Sequence, residues 1–290
     1  MSRLGIFVDR KTLSNSEQLN ALIRCRDVAE GMGHDVDFIL PVDIHKIPAV
    51  DALFIRARTD PMNVTYVAAR MASFYNIPVI DDPRSIQICS DKVNMYSHLD
   101  KKHISMPKTI FLSKHDLTVE RVMDIFDDLG SPLIVKEPST SFSLRVEKVQ
   151  DSAEFFRVAR RFIKLSDWIV VQQYVESTYD WRVGVLGGRL LYVCKYTIPS
   201  DTFKIQASVN GHLVYCGVES VTPDKVPPHV IRLGIDAANA IGTGLYGVDI
   251  KNNNEDAYVI EVNDNPSIES GEDDCYPHVF DQIVTHLFTM

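Results

Sequence analysis

The stretch Tyr258-Val-Ile-Glu-Val-Asn-Asp-Asn-Pro-Ser-Ile268 decides how the rest of the chain is interpreted. Its first half is an apolar run that is typical of a buried β-strand. Successive side chains of a strand point to opposite faces of a sheet, so residues two apart share a face. The strand therefore places Glu261 and Asn263 on one face, just before a turn that Pro266 marks.

A second predicted strand lies upstream at residues 245–250 and carries Asp249. The asparagines at 252–254 predict a turn, so the two strands should pair as a hairpin that brings Asp249, Glu261 and Asn263 together. Two carboxylates and an amide oxygen are hard ligands, the set that Mg²⁺ uses when it also holds substrate phosphates. A polar hairpin with scattered acids is the alternative. Because unpaired charges inside apolar strands are costly, the pattern favours a metal site.

The same segments resemble a known family. Gly247-Val-Asp-Ile250, followed by Val259-Ile-Glu-Val-Asn-Asp-Asn-Pro266, is similar to the metal-binding end of ATP-grasp ligases, above all RimK-type glutamate ligases and glutathione synthetases. The resemblance can be followed over most of the chain. It implies an α/β protein with α+β subdomains, the ATP-grasp fold behind an N-terminal open α/β domain. It also implies ATP and Mg²⁺ (or Mn²⁺) as cofactors, and a ligase that forms carbon–nitrogen bonds.

The predicted domains follow this pattern. Strands and helices alternate over residues 1–88, which predicts a parallel sheet with helices on its faces, and no Gly-x-Gly-x-x-Gly motif follows the first strand. One predicted helix, at residues 63–75, has a stripe of Val67, Met71 and Phe74. The resemblance makes residues 89–175 a central lid subdomain and residues 176–290 a C-terminal subdomain with the metal site.

Two lysines are candidates for phosphate binding. Lys136 directly follows Leu-Ile-Val in a buried strand, where a lysine needs an anionic partner. Lys92 opens a helix, and only the resemblance distinguishes it from a solvated lysine. The resemblance assigns both to nucleotide phosphate. It assigns the residues of an extended link to the adenine edge and an acid to the nucleotide sugar; these are Gln173, Tyr174, Val175 and Asp180.

The reacting centre is predicted to be cationic. Arg182, in Asp180-Trp-Arg182, resembles an arginine near the transferred group, although a surface ion pair is the alternative for this motif. We expect Arg182, Lys195 and Lys204 to point from a hairpin with a Gly187-Gly188 turn and its following loop into one cleft. Lys195 is a candidate catalytic residue and Lys204 a candidate substrate ligand.

Two arginines of the N-terminal domain are further candidates for substrate binding. Arg56 and Arg58 follow the third predicted strand, where open α/β sheets place ligands, and they could line the far wall of the cleft. A solvated surface pair stays open as the alternative. A cationic cleft favours an anionic substrate.

The substrates are predicted only by class. The resemblance implies a carboxylate that is phosphorylated and an amine that attacks it, with glutamate the first candidate. The arginine-rich acceptor loop of typical RimK enzymes is missing, which favours a small acceptor over a protein. A protein-modifying glutamate ligase stays open. So does a catalytically silent ATP-binding or nucleotide-sensing module, because Arg145, directly after the predicted lid loop of residues 139–144, stands where the family commonly has glycine.

Composition excludes other classes. The formal net charge of -9 over 290 residues argues against a nucleic-acid partner, and no apolar run is long enough to span a membrane. Five cysteines without a Cys-x-x-Cys pair indicate free thiols in a reducing compartment, and the N-terminus lacks the pattern of a signal peptide. We therefore expect a cytoplasmic protein with small-molecule partners. A homo-oligomer stays open.

Overall fold

The computed structural model describes residues 2–140, 144–199, 203, 206–209, 212–215, 217–253 and 256–290. Within these residues the strands form three sheets of four or five strands and one two-stranded ribbon. The chain passes through the three sheets in order, and the first and third share a hydrophobic core.

The N-terminal sheet is parallel, as the alternation of strands and helices predicted, with the strand order β2-β1-β3-β4. Its strands need crossover connections because they run in the same direction. The elements are β1 (Arg3–Phe7), α1 (Arg10–Ser14), α2 (Ser16–Gly31), β2 (Asp35–Ile39), β3 (Ala52–Ile55), α3 (Val64–Phe74), β4 (Val79–Ile80) and α4 (Pro83–Cys89), with a 3₁₀ segment at Pro41–Ala49.

Helix α3 packs with a different face from the predicted one. Its buried residues are Thr65 and the alanines Ala68, Ala69 and Ala72. Of the apolar stripe, Val67 and Phe74 are exposed, the latter by 79%, whereas Met71 is half-buried against the core. Small side chains let the helix lie close to the sheet, so alanine occupies the contact face although larger apolar residues were available.

The middle sheet is antiparallel, with the order β5-β8-β6-β7. Leu133 and Val135 face a core that α6 and α7 cover, whereas Ile134 and Lys136 point to the opposite face because side chains alternate along a strand. That second face is open to a cleft. The elements are α5 (Lys92–Lys101), β5 (Thr109–Ser113), α6 (Val119–Leu129), β6 (Leu133–Lys136), β7 (Val146–Val149), α7 (Ser152–Phe162) and β8 (Trp168–Gln173), with a 3₁₀ turn at Lys114–Asp116.

The C-terminal sheet has the order β13-β10-β9-β14-β15. Helices α5 and α8 cover one face, and α9 lies between the other face and the N-terminal sheet. Gly187 and Gly188 join β9 to β10 with φ values of 55° and 75°, which confirms the predicted turn. The elements are β9 (Tyr179–Leu186), β10 (Arg189–Thr197), the ribbon β11 (Gln206–Val209) and β12 (His212–Tyr215), β13 (Val218–Ser220), α8 (Pro228–Ile241), β14 (Leu245–Asn253), β15 (Asp256–Asn263) and α9 (Val279–Leu287), with a 3₁₀ turn at Pro223–Lys225.

Domain boundaries at residues 88 and 175 stay a prediction. Helix α5, on the C-terminal side of the first boundary, places Met95, Tyr96 and Leu99 in the core of the C-terminal sheet. In the part of the chain that the structure describes, no helix combines the length and the apolarity needed to cross a bilayer.

The packing of α3 can be tested by two substitutions. Phe74→Ser should change the free energy of unfolding by no more than ~0.5 kcal/mol, since the ring is exposed. Ala72→Leu should destabilise the protein by ~1–3 kcal/mol, because a larger side chain overpacks a buried contact. Urea unfolding of both variants measures the two values. The reverse order of effects would show that the stripe, not the alanines, is the packed face.

Candidate active site

Three neighbouring strands place a row of charged side chains on one face of the C-terminal sheet. Asp249 of β14 lies directly opposite Glu261 of β15 and, on its other side, opposite Arg182 of β9. Directly opposed residues share a face, so these three form what we call the carboxylate row. Asn263 pairs with Gly247, two residues along each strand from the pair of Glu261 and Asp249, and so lies on the same face. The predicted hairpin is therefore present, and it brings the three candidate metal ligands together.

A β-bulge sets this arrangement. Between Asp249 and Ile250 the pairing of β14 with β15 shifts by one residue, so that Ile250 opposes Val259 while Asp249 opposes Glu261. Without the extra residue Asp249 would oppose Ile260, and Glu261 would point to the other face. Bulges often occur beside active sites, where they redirect a side chain.

Asp249 and Arg182 form a buried, two-pronged ion pair. The Nε of Arg182 lies 2.5 Å from Oδ1 of Asp249, and Nη2 lies 3.0 Å from Oδ2. Asn263 donates from Nδ2 to the same Oδ2 at 3.2 Å. Burial raises the pKa of the Asp249 carboxyl, and the guanidinium and the amide oppose that rise. The Arg182 guanidinium also lies over the ring of Tyr196, 5.0 Å from its centroid.

Glu261 is held at the open end of the row by Lys92. The Nζ of Lys92 lies 3.2 Å from Oε1 of Glu261 and also donates to the carbonyl of Thr140. Burial alone would raise the pKa of Glu261, but Lys92 and Lys136 outweigh it and hold the pKa below the ordinary value. Glu261 is therefore an ionised carboxylate at neutral pH, and its side chain keeps 27% of its surface exposed.

The donor set fits Mg²⁺ shared with phosphate. Within the described ranges, no group of three or more histidine, cysteine, aspartate or glutamate side chains is arranged to hold a metal. The row offers the carboxylates of Asp249 and Glu261, and Asn263 adds an amide on the same face of the sheet. Mg²⁺ binds through one or two carboxylates plus substrate phosphates rather than in a cage built only from protein groups. Asp249, Glu261 and Asn263 would therefore hold the ion together with a phosphorylated ligand.

Lys136 is buried among neutral hydrogen-bonding groups of the protein. Its Nζ donates to the hydroxyl of Tyr96 and to Oε1 of Gln172, each at 2.7 Å. Among the acids, Glu261 favours the charged form of Lys136 most strongly. Burial lowers the pKa of Lys136 to about 7, with Glu261 opposing and Lys92 adding to the fall. A lysine in this state gains from an anion that enters the cleft.

Asp249 and Glu261 of the row line a cleft of about 740 Å³ together with Lys136, and the cleft is partly open to solvent, whereas Arg182 and Asn263 lie outside its lining. It lies between the open face of the middle sheet and the ends of β14 and β15. Eight of the residues predicted from the sequence line it: Lys92, Lys136, Gln173, Tyr174, Val175, Asp180, Asp249 and Glu261.

Six further residues line the cleft that the sequence did not single out: Ile134, Val146, Gln172, Phe203, Lys251 and Ile260. Lys251 is the most informative, because its ammonium lies 2.5 Å from Oδ1 of Asp180 and both side chains are nearly buried. The period of two along β14 would have found it, since Lys251 follows Asp249 by two positions. Gln172 lies on the cleft face because it pairs with Ile134 of β6, a register that the sequence alone does not show.

The predicted cationic cluster does not form around Arg182. A bulge between Leu190 and Tyr192 shifts the register of β10, so Lys195 pairs with Trp181 and Arg182 pairs with Cys194. Lys195 therefore lies on the opposite face of the sheet from Arg182, with its ammonium over the rings of Tyr179 and Trp181 at 4.9 and 5.0 Å. The expectation that both point into one cleft is wrong.

The other residues predicted to bind substrate lie in different environments. Arg56 is turned into the seam with the C-terminal region, where its Nη2 lies 3.3 Å from Oε2 of Glu269. It is therefore held by protein groups and not displayed for a ligand. Arg58 is exposed. Lys204 and residues 141–143 of the predicted lid lie outside the described residues.

Arg145 has a backbone conformation that explains why glycine is common at this place. Its φ is 52°, in the left-handed region that glycine adopts without strain. Its guanidinium lies 3.6 Å from Oε2 of Glu137, a buried carboxylate directly after Lys136. The side chain thus closes over the end of β6.

Comparison with known proteins agrees with this geometry. A family model described as the RimK-like ATP-grasp domain matches residues 89–287. "Probable alpha-L-glutamate ligase 1" of Shewanella denitrificans is 27% identical over 280 residues, covering 90% of each chain. "Probable alpha-L-glutamate ligase 2" of Pseudoalteromonas atlantica is 25% identical, covering 90% of this chain and 88% of its own.

Solved structures show the same fold. The D-alanine–D-alanine ligase of Bacillus anthracis, complexed with ATP, superposes with a TM-score of 0.74 at 19% identity, covering 100% of this chain and 98% of the other. A RimK domain ATP-grasp protein of Sphaerobacter thermophilus has a TM-score of 0.72 at 18% identity, covering 98% and 99%. These likenesses confirm the predicted ATP-grasp fold.

Glu261→Gln should abolish Mg²⁺-dependent ATP turnover in a protein that stays folded. Loss of one preorganised charge contact in a phosphoryl-transfer site costs on the order of 10²–10³ in rate. Asp249→Asn should do the same, but it leaves the buried Arg182 without its carboxylate, which costs ~3–5 kcal/mol of stability. Circular dichroism and ADP release measure both. Wild-type rates in the two variants would remove these residues from the metal site.

Lys136→Met should stabilise the nucleotide-free protein near pH 7 while it weakens ATP binding. In the unfolded chain a lysine has a pKa of ~10.4, whereas burial lowers the pKa of Lys136 in the folded protein to about 7. Between these values the unfolded state holds more protons, so the wild-type stability rises with pH. The advantage of the variant should therefore shrink from pH 7 to pH 10.

Urea unfolding across this pH range and calorimetry with ATP measure the two effects of Lys136→Met. Lys108→Met is the control, because Lys108 is exposed and should show neither. An advantage that does not depend on pH would contradict the burial of a titrating Lys136.

Proposed function

The chain belongs to the RimK-like ATP-grasp family, and we propose that it is an ATP- and Mg²⁺-dependent ligase that joins a carboxylate to an amine through an acylphosphate. One observation carries the proposal: Asp249 and Glu261 of the carboxylate row line one cleft of about 740 Å³ together with two lysines, Lys92 and Lys136. The predicted enzyme class, a ligase that forms carbon–nitrogen bonds, agrees with the names of its relatives.

The chemistry needs activation of the carboxylate. A carboxylate oxygen attacks the terminal phosphorus of ATP, ADP leaves, and the resulting acylphosphate is then attacked by the amine with loss of phosphate. Such catalysis is mostly positioning and neutralisation of oxygen charge. When bound by Asp249, Glu261 and Asn263, Mg²⁺ would supply positive charge to the phosphate oxygens.

The cations of the cleft have separate roles in this proposal. Lys92 is held beside Glu261 by an ion pair, so its charge stays next to the metal ligands and faces the phosphates. Lys136 takes up a proton as the phosphates arrive, because burial holds its pKa near the working pH. Arg182 is fixed by Asp249, and in this proposal its guanidinium would neutralise charge on the transferred group.

The nucleotide base is assigned to the other end of the cleft. Gln173, Tyr174 and Val175 line it there, and an extended backbone offers donors and acceptors to an adenine edge. Asp180 would accept hydrogen bonds from the sugar, with Lys251 balancing its charge. Tyr174 also supports the ammonium of Lys148, 4.7 Å from its ring centroid.

The carboxylate and the amine are proposed by class. The relatives named as alpha-L-glutamate ligases make glutamate the first candidate for the amino acid, and a small molecule or peptide the acceptor. The absence of an arginine-rich acceptor loop in the sequence supports a small acceptor over a protein tail. Three buried and one exposed free cysteine among the described residues fit a reducing compartment such as the cytoplasm.

A second candidate is a nucleotide-binding module without turnover. Arg145 favours it, because its guanidinium pairs with Glu137 beside the phosphate end of the cleft and occupies a place suited to glycine. The complete carboxylate row favours the ligase.

A substrate panel separates the two candidates. The enzyme is incubated with ATP, Mg²⁺ and each amino acid, alone and in pairs, and then with a metabolite extract, and ADP release is recorded. We expect glutamate with an amine acceptor to stimulate release, and Glu261→Gln to remove the stimulation. Tight ATP binding with no stimulation by any pair or by the extract would establish the nucleotide-binding module instead.

A further inference from the structure

Arg56 is the one predicted substrate ligand whose contacts give it a different task. It follows β3, at the carboxyl end of the N-terminal sheet, and its side chain is only 11% exposed. Its Nη1 donates to Oδ1 of Asn265 at 2.6 Å and to the carbonyl of Pro266 at 3.1 Å. Its Nη2 donates to Oε2 of Glu269 at 3.3 Å. All three partners lie in the segment that follows the metal strand β15.

The N-terminal sheet holds Asn265 from two sides. While Arg56 donates to its Oδ1, the Nδ2 of Asn265 donates to the carbonyl of Ala57 at 2.7 Å. The side-chain oxygen and the side-chain nitrogen of Asn265 are thus each hydrogen-bonded to a residue directly after β3. Glu269 is fixed as well, since its Oε2 accepts from its neighbour's backbone N–H at Ile268, 2.8 Å away. The turn after β15 is therefore clamped by groups of the other sheet.

The clamped turn lies directly on the carboxylate row. A Cβ at Gly247 would lie 2.6 Å from the Cβ of Pro266 and 2.9 Å from the Cδ of Arg182, so these two side chains close over position 247. Asn263 donates from Nδ2 to the carbonyl of Gly247 at 3.2 Å. A displacement of Pro266 would move the groups that orient Asn263 and Arg182.

We infer that Arg56 is a positioning residue, which couples the docking of the N-terminal sheet to the geometry of the metal ligands by clamping the turn at Asn265 and Pro266. The inference rests on the proposed function. Guanidinium geometry is suited to this task, because its planar fork can donate to several acceptors at once, whereas a lysine is a point charge.

A neighbouring arginine provides the control. Arg24 of α2 also bridges to the C-terminal region, with Nη1 3.4 Å from Oδ2 of Asp273 and Nη2 3.3 Å from the carbonyl of Ile268. Its hydrogen bonds go to Asp273 and Ile268, and not to Asn265 or Pro266. Arg24→Met removes a bridge across the same seam without releasing the clamped turn.

The test compares Arg56→Met, Arg56→Lys and Arg24→Met. Electron paramagnetic resonance measures the Kd of Mn²⁺ in the presence of a non-hydrolysable ATP analogue, and ADP release gives kcat. We expect Arg56→Met to raise the Kd of Mn²⁺ by roughly 10-fold or more, as loss of an outer-shell partner does, and to lower kcat. Arg56→Lys should restore part of both, and Arg24→Met should leave both unchanged. If Arg56→Met does not fold, Arg56→Lys and Asn265→Ala carry the same comparison.

The outcomes separate the inference from the proposed function. Unchanged Mn²⁺ affinity in the Arg56 and Asn265 variants, or an equal change in Arg24→Met, would overturn the positioning role. Asp249→Asn is measured alongside. If it loses Mn²⁺ while the Arg56 variants keep it, the metal site stands and only the clamp is wrong. If Asp249→Asn keeps wild-type Mn²⁺ affinity, the metal assignment fails instead.

Discussion

The ion pair of Arg182 and Asp249 is the constraint on which the site depends. Both side chains are almost completely buried, and a carboxylate in that setting needs a fixed cation. The guanidinium meets it through two nitrogen–oxygen contacts, and Asn263 adds a third contact to the same carboxylate. The position of each group therefore depends on the register of three strands. A shift of one residue in any of them would turn one partner to the other face.

The cleft brings together charges that would be costly elsewhere. Lys136 is buried beside Tyr96 and Gln172. Burial lowers its pKa, which means that the charged form of the lysine is destabilised in the protein without ligand. Stability given up in this way is common where a site must receive a ligand. Glu261 shows the reverse case, since two lysines hold its pKa down and keep it charged. The opposite shifts prepare one side of the cleft for phosphate and the other for a metal ion.

The sequence predicted the hairpins from short-range patterns, and it predicted the ATP-grasp fold through the resemblance of residues 247–250 and 259–266 to a known family, while its assignment of the metal ligands stays a prediction. Glu261 and Asn263 are two residues apart and so share a face of the strand. A two-residue Gly-Gly hairpin loop adopts only a few turn types. The sequence could not predict the two bulges, because a bulge depends on how three strands pack together. Counted from the Gly-Gly turn without a bulge, Lys195 would oppose Asp180 and share a face with Arg182; the bulge near Leu190 moves it to the other face.

Tertiary packing decided the other differences. In α3 Val67 and Phe74 of the apolar stripe are exposed, and the buried face consists of Thr65 and three alanines. Arg56 occupies the strand end that commonly binds ligands. Its guanidinium is instead hydrogen-bonded to Asn265, Pro266 and Glu269 of the C-terminal region. Lys251 was overlooked although the period of two along β14 points to it.

A structure of the protein crystallised with Mg²⁺ and a non-hydrolysable ATP analogue tests the central claim most directly. The account predicts a metal ion bound by Asp249, Glu261 and Asn263 and by phosphate oxygens, with the phosphates beside Lys92 and Lys136 and the base against residues 173–175. A nucleotide bound elsewhere, or bound in this cleft with no metal at the carboxylate row, would contradict it.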